Sequence, residues 1–255
     1  MRRAVAWRTP ALGALLPLAL IATWQIAASA GTFDVGLWAS PATVLRAASA
    51  TVRDGSLAGD VWASLQRDVA GLAIGVPVGL IVGTLLALSR LGDALLGPSL
   101  SAVRQVALFT WVPLISLWLG NDEPGKIAFI AYAVFFPVML ATQAGVRGAD
   151  PQLREVARTL CLTSWQSLRR VILPAALPSI AAGIHLALVY GWLATIGAEY
   201  LFSAGPGIGS ALMTGRAQFR MDQVIVGMVA IAVVGMLLNV LAGAAERRLL
   251  QSRGL

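Results

Sequence analysis

The sequence offers few side chains that could carry covalent or metal chemistry. His185 is the only histidine and Cys161 the only cysteine among 255 residues. A zinc site needs several clustered Cys, His or carboxylate ligands, and a nucleophilic mechanism needs a nucleophile beside a base. The spacing of residues suggests neither arrangement. We therefore predict a protein that is not an enzyme and has no metal site or cofactor, and an intramembrane enzyme is not favoured.

Two titratable residues lie within or beside a long apolar stretch and are candidates for a transport pathway or a gate. His185 either bonds to a neighbouring backbone or offers a donor to a passing oxyanion. Glu199 either forms part of a gate or is an interfacial carboxylate that pairs with Arg216 or Arg220. A carboxylate repels an anion, so a gate or salt-bridge role suits Glu199 better than direct contact with an anionic solute.

Long apolar helices must position these residues. The chain is 58% hydrophobic and only 12% charged, whereas a soluble domain carries about 25% charged residues. Six stretches contain no charge, and each can supply a helix near the ~20 residues that cross ~30 Å of hydrocarbon. We predict an all-α, polytopic membrane protein of one domain, residues 1–255, with six transmembrane helices. The predicted spans are roughly 11–30, 69–89, 104–120, 127–146, 178–198 and 223–244.

The first of these spans has an alternative interpretation. Arg2 and Arg3 precede the apolar run, which ends in the small residues Ala28-Ser29-Ala30, a pattern also found at signal-peptide cleavage sites. The run is longer than the usual apolar region of a signal peptide, which is about 7–15 residues. We therefore favour a retained first helix.

The arginines orient the spans. With the N-terminus inside, thirteen of the nineteen basic residues fall on the inside, but only four of the twelve acidic ones do. This satisfies the positive-inside rule and predicts cytoplasmic N- and C-termini. The net charge of +7 therefore reflects orientation in a lipid bilayer. No clustered basic face indicates a nucleic-acid partner.

The longest inside connection, residues 147–178, is the most specific feature. Pro151 is placed to begin a short helix, and Thr163 or Ser164 is placed to cap a second one after a bend near Cys161. The segment resembles the EAA loop of bacterial ABC-importer permeases, in which E-A-A is followed by G and later by I-x-L-P. The positions in register are Glu155, Ala157, Cys161, Val171, Leu173 and Pro174.

Further stretches resemble the nitrate/sulfonate/taurine branch of that family. They are Ser64-Leu65-Gln66-Arg67, Trp111-Val112-Pro113-Leu114, Gly145-Val146-Arg147, Leu173-Pro174-Ala175-Ala176-Leu177-Pro178, Ala198-Glu199, Gly207-Ile208-Gly209 and Glu246-Arg247-Arg248-Leu249-Leu250. The resemblance implies a multi-pass protein of a bacterial inner membrane that has a type I importer permease fold with a cytoplasmic coupling helix. It also implies three kinds of partner: cytoplasmic ABC ATPase subunits, an extracytoplasmic solute-binding protein and a second permease copy, expected to be identical.

The resemblance assigns roles to single residues. Glu155 and Ala157 are expected to open the coupling helix, Arg158 to pair with acidic groups on the ATPase, and Cys161 to form the turn that aims the helix. The family has glycine at this turn, and a cysteine fits only with a negative φ or with some strain. The Ile-x-Leu-Pro end is represented by Leu173 and Pro174.

The resemblance also suggests the cargo. We expect a small anionic solute, with an aliphatic sulfonate such as taurine first and nitrate second. The region of Trp111 and Pro113, where the family often carries a double proline, is a further candidate for the pathway wall. A secondary transporter or channel is the alternative, but the uncharged windows leave little from which to build a proton relay.

Overall fold

The structure is a computed structural model that describes residues 19–20, 22–28, 39–202 and 205–251. Within these residues all regular secondary structure is helical, as the sequence predicts. The predicted first span, 11–30, lies outside the described residues except for helical pieces at 19–20 and 22–28.

The helices follow one another through short connections. Pro41 and Pro151 each occupy the first turn of a helix, where a missing N–H costs nothing. The elements are α1 Pro41–Arg53, α2 Ser56–Leu88, α3 Arg90–Gln105, a 3-10 turn Leu108–Trp111, α4 Val112–Leu119, α5 Glu123–Arg147, α6 Pro151–Thr159, α7 Ser164–Phe202, α8 Ile208–Ala217 and α9 Met221–Gln251.

Four of these helices, α2, α5, α7 and α9, are long and apolar enough to cross a membrane. The predicted spans 69–89, 127–146, 178–198 and 223–244 fall on these four helices. The pair formed by α3 and the segment Leu108–Leu119 is bent by 97° and supplies a fifth crossing if it is counted as one. The described residues thus provide four crossings, or five with the bent pair.

The predicted third span, 104–120, differs from the structure. The apolar element begins at Arg90, well before residue 104, and breaks between Gln105 and Leu108. The sequence pattern concealed this because Asp93 interrupts the apolar run. In the fold the Asp93 carboxylate is paired with Arg147 at 2.8 Å, so its charge is compensated and the helix can run beside α5.

Glycines bring α2 and α5 into close contact. Gly71, Gly75, Gly79 and Gly83 recur every four residues on α2 and are buried. A Cβ atom at any of them would lie less than 3.0 Å from an atom of α5. Helices in lipid associate by close packing of such small residues. This contact and the adjoining α5–α7 contact form the core, in which Phe129, Ile130, Val134 and Val138 of α5 are fully buried.

Candidate functional site

The first candidate site is the loop between α5 and α7, where α6 is capped at both ends. The Asp150 side chain accepts a hydrogen bond from the Gln152 N–H at 2.8 Å. At the other end the Leu162 N–H donates to the Ala157 carbonyl at 3.0 Å and the Cys161 N–H to the Arg158 carbonyl at 2.9 Å. These two bonds form the Schellman motif, whose left-handed residue is usually glycine.

Cys161 occupies that left-handed position. Its φ is +50°, so of the two possibilities left by the sequence, the strained one is realised. A left-handed conformation costs a non-glycine residue about 1–2 kcal/mol. The side chain of Cys161 is exposed. The position therefore works as the turn that ends α6, despite the absence of glycine.

Apolar side chains of α6 face away from the protein. Leu153, Val156 and Leu160 are 39%, 53% and 65% exposed, and their spacing of three and four residues puts them on one side of the helix. Glu155 and Arg158 are also exposed, whereas Ala157 is almost completely buried. The loop thus offers a small apolar surface with charged residues beside it, held by the buried Ala157.

The second half of the loop leads directly into α7. Thr163 caps it and forms a capping box with Gln166, as the sequence predicts for Thr163 or Ser164. A π turn over Leu168–Ile172 follows, in which the Leu173 N–H donates to the Leu168 carbonyl. The next residue, Pro174, has no N–H to donate, which is an ordinary cause of such an irregularity.

Leu173 and Pro174 lie in α7 and do not contribute to the exposed apolar surface of α6. Both are half-buried in α7, and Leu173 packs on an apolar cluster that joins the C-terminal end of α5 and the N-terminal part of α7 to the loop. The structure therefore separates the predicted coupling residues into an exposed group on α6 and a supporting group on α7. The buried members of the cluster are Val146, Ala149, Leu168, Ile172, Ala176 and Ile180.

The second candidate site surrounds Glu199, at the opposite end of α7. Glu199 is fully buried, and its Oε1 accepts from Arg67 Nη1 at 2.7 Å. Its Oε2 accepts from Ser64 Oγ and from the Gly209 N–H, both at 2.9 Å. Of the two alternatives for Glu199, the structure contradicts pairing with Arg216 or Arg220, because α2 lies against α7 here and Arg67 occupies the Glu199 carboxylate.

The two arginines of that alternative, Arg216 and Arg220, contact other residues. Arg216 donates to the hydroxyl oxygen of Tyr200 at 2.6 Å. Arg220 lies 4.0 Å from Asp222. Both arginines are exposed.

Arg67 joins three parts of the chain. Its Nε and Nη2 each donate to a carboxylate oxygen of Glu123 at 2.7 Å, and Nη1 also donates to the Pro206 carbonyl at 2.6 Å. Lys126 Nζ lies 3.7 Å from the same Glu123. Arg67, Lys126, Glu123 and Glu199 form what we term the outer charge cluster, in which two cations meet two carboxylates. The sequence alone indicates no role for Arg67, Glu123 or Lys126.

Residues in and beside the outer charge cluster hold the start of α8 in place. The Gly207 N–H donates to Asp60 at 3.0 Å and the Ile208 N–H to Ser64 at 3.1 Å. Together with Gly209, three successive N–H groups at this helix end receive side-chain acceptors, which such groups require when buried. Gly207 has φ +152°, and a Cβ there would collide with Glu199, so glycine is required.

The remaining pathway candidates are dispersed. His185 Nδ1 lies 2.7 Å from Glu246 and Nε2 lies 2.9 Å from Asn239, so His185 links α7 to side chains of α9 and not to a backbone group. Trp111 packs on Tyr132, with ring centroids 5.4 Å apart. Pro113 lines a separate shallow apolar pocket with Phe109. Among the described residues, no three His, Cys, Asp or Glu side chains are grouped as a metal site would require.

Comparison with known proteins gives a consistent result. The family model described as "Binding-protein-dependent transport system inner membrane component" matches residues 75–253. Proteins named for aliphatic sulfonates transport, from Bacillus subtilis and Escherichia coli, are each 37% identical, over 94% and 91% of this chain and 87% and 88% of theirs. A protein of Synechococcus elongatus named for bicarbonate transport is 33% identical over 91% of this chain and 88% of its own.

Solved structures support the fold. A chain of the MetNI methionine ABC transporter, in an inward-facing conformation, aligns with a TM-score of 0.62 at 20% identity, over 79% of this chain and 97% of that one. A chain of an amino acid ABC transporter aligns with a TM-score of 0.58 at 19% identity, over 78% of this chain and 97% of that one.

Proposed function

Since this chain belongs to the family of inner membrane components of binding-protein-dependent transport systems, we propose that it moves a small oxyanion inward and is driven by a separate cytoplasmic ATPase. The observation that carries this proposal is the exposed apolar side of α6. A nine-residue helix would not ordinarily keep three large apolar side chains in water. Such a surface, with charged residues beside it, is typical of a helix that docks in a groove on a partner.

The packing around α6 suggests how a movement of the ATPase would reach the membrane. The apolar cluster that contains Val146 of α5 and Leu168 of α7 is tightly buried, and close-packed interiors transmit displacement instead of absorbing it. A pull on α6 would therefore move the inner ends of α5 and α7 together. Rigid-body motion of this kind alternates the access of a central pathway between the two sides of the membrane.

The cargo is an oxyanion. Relatives named for the transport of aliphatic sulfonates and of bicarbonate differ in solute but share negatively charged oxygen atoms. Aliphatic sulfonates, including taurine, are our first choice because the relatives named for them are the more similar, and nitrate is our second. The outer charge cluster is proposed as the latch that holds the α8 segment where an extracytoplasmic binding protein would deliver the solute.

The assembly is completed by a second permease copy. Apolar side chains are exposed along α9, among them Met228, Val233, Met236 and Leu241, and they require either lipid or another subunit to cover them. We propose a homodimer with two ATPase subunits. The excess of arginines at the predicted inner ends supports cytoplasmic termini.

The docking surface can be tested with two matched variants. Leu160 and Phe219 are 65% and 66% exposed, but Leu160 lies on the α6 side and Phe219 in the turn between α8 and α9. We expect Leu160→Asp to abolish co-purification of a co-expressed ABC ATPase subunit and Phe219→Asp to preserve it. Full retention of the ATPase by Leu160→Asp would refute the docking assignment. Uptake by the permease without any ATPase would instead support the secondary-transporter alternative.

A further inference from the structure

The course of α3 places a cationic residue deep in the membrane. At its start, Asp93 contacts Gln143 at 2.9 Å and Arg147 at 2.8 Å, near the inner end of α5. At its other end, the Val103 carbonyl accepts from the Tyr132 hydroxyl at 3.2 Å. Tyr132 precedes Arg147 by fifteen residues, or about 22 Å of helix. Helix α3 therefore climbs beside α5 to about the middle of the membrane.

Arg104 follows Val103 directly and is the last charged residue before the chain breaks. Counting charge-free windows places Arg104 at the inner surface, but the structure carries it to the level of Tyr132. An ionisable side chain at such a depth is costly and marks a functional site by default. Its position at the C-terminal end of α3 offsets part of that cost, because a helix C-terminus favours a cation.

A polar cavity connects Arg104 with the inner end of α5. Its volume is about 520 Å³, and the polar residues of its wall are Asp93, Ser101 and Arg104 of α3 and Gln143 and Arg147 of α5. Arg147 is neutralised by Asp93 and also donates to the Leu86 carbonyl at 2.9 Å. In the described part of the chain Arg104 is exposed and forms no salt bridge. The cavity thus combines the uncompensated Arg104 cation with the Asp93–Arg147 ion pair and with the neutral hydrogen-bonding groups of Ser101 and Gln143.

We propose that Arg104 binds the transported oxyanion at the middle of the membrane, and that Ser101 and Gln143 form the polar wall along which the anion leaves toward the inner side. This inference rests on the proposed function and assigns a residue to it. A guanidinium group presents a planar fork of donors that matches two oxygens of a carboxylate, sulfonate or similar anion. A lipid phosphate would supply the same chemistry, but headgroups lie about 15 Å from the centre of a ~30 Å core.

The first test measures transport. The permease is reconstituted with its ATPase and binding protein in vesicles, and ATP-driven uptake of taurine, methanesulfonate and nitrate is followed. We expect Arg104→Gln to reduce uptake about 10- to 100-fold, the loss of one charge-assisted hydrogen-bonding group, and Arg104→Lys to retain most of it. The matched control is Arg90→Gln, which removes an exposed arginine from the start of the same helix. Equal uptake by Arg104→Gln and Arg90→Gln would overturn the proposal.

The lipid alternative is separated by repeating the assay in zwitterionic vesicles and in vesicles with anionic lipid. A defect of Arg104→Gln in both compositions supports binding of the solute. A defect confined to anionic vesicles would overturn that assignment and indicate a headgroup site.

The second test does not depend on knowing the solute or on the ATPase. In a Cys161→Ser background, Ser101→Cys is modified with the anionic reagent sulfonatoethyl methanethiosulfonate and with its cationic trimethylammonioethyl counterpart. Residues 101 and 104 are one helical turn apart, at about 6 Å, so Arg104 should favour the anionic reagent. We expect Arg104→Gln to lower the anion-to-cation rate ratio at least about tenfold, and Arg90→Gln to leave it unchanged. An unchanged rate ratio in Arg104→Gln would overturn the inference. If the wild-type permease does not bind an ATPase, only the proposed function is overturned.

Discussion

Replacing Arg67 by methionine tests the outer charge cluster most severely. The guanidinium group is 6% exposed and donates to Glu123, Glu199 and the Pro206 carbonyl, while Glu199 is fully buried. Arg67→Met therefore leaves the buried Glu199 carboxylate without the cation that is hydrogen-bonded to it, and Lys126 is then the one cation left in the cluster. Breaking a buried ion pair in this way costs about 3–5 kcal/mol.

That loss has a measurable size. For a chain of about 150–250 residues, 1 kcal/mol shifts the melting temperature by about 2–4 °C, so Arg67→Met should lower it by about 6–20 °C. The assay is thermal unfolding of the purified permease in one detergent. Limited proteolysis of the segment before α8 serves as a local readout, because that segment should detach when the Pro206 contact is lost.

Two further variants separate charge from packing. Adding Glu199→Gln to Arg67→Met removes the isolated charge and should recover part of the lost stability, since the amide oxygen can still accept from Ser64 and Gly209. The control is Arg216→Met, which removes an exposed arginine and should shift the melting temperature little. The buried-charge explanation is refuted if Arg67→Met has the same melting temperature as Arg216→Met. It is also refuted if the double variant is no more stable than Arg67→Met alone.

Three smaller changes follow from the geometry. Cys161→Gly should raise the free energy of unfolding by about 1 kcal/mol by relieving the left-handed conformation, and Cys161→Ala should not; equal melting curves for the two would contradict the strain. Gly75→Val should destabilise the chain by about 1–3 kcal/mol or more through overpacking against α5, unlike Gly59→Val, which meets open space; similar melting temperatures would argue against the close α2–α5 contact. Tyr132→Phe should cost about 1 kcal/mol by removing the donor to the Val103 carbonyl, and a neutral effect in unfolding measurements would speak against that bond.

Much of the fold is legible in the sequence because lipid imposes a simple rule. Uncharged stretches of sufficient length become helices, and this located α5, α9 and the long apolar parts of α2 and α7. The bend at Cys161 and the Thr163 cap were equally local, since turn and capping chemistry acts over a few residues. The loop that joins α5 to α7 was therefore predicted in some detail.

The features that the sequence does not predict correctly depend on pairing between residues far apart in the chain. Asp93 hid the start of α3, because a carboxylate ends an apolar window unless its partner, Arg147, is known. Counting charge-free windows likewise places Arg104 at the membrane surface, whereas the structure places it at the level of Tyr132. For Glu199 the sequence offers as ion-pair partners only the nearby Arg216 and Arg220, whereas its partner Arg67 is 132 residues away. In the outer charge cluster, Lys126 and Glu199 mark the ends of charge-free windows and Arg67 and Glu123 lie just outside them, so the sequence pattern does not indicate that the fold buries three of these four charges.

The central claim, that ATP-driven motion enters through α6, is tested most directly by energised uptake. The permease, its ATPase and its binding protein are reconstituted together, and uptake of an aliphatic sulfonate is measured with and without ATP for wild type, Leu160→Asp and Phe219→Asp. We predict ATP-dependent uptake by wild type and Phe219→Asp, and none by Leu160→Asp even when its vesicles contain an ATPase that still hydrolyses ATP. Equal ATP-driven uptake by all three proteins, or uptake that an ion gradient sustains without ATP, would contradict the account.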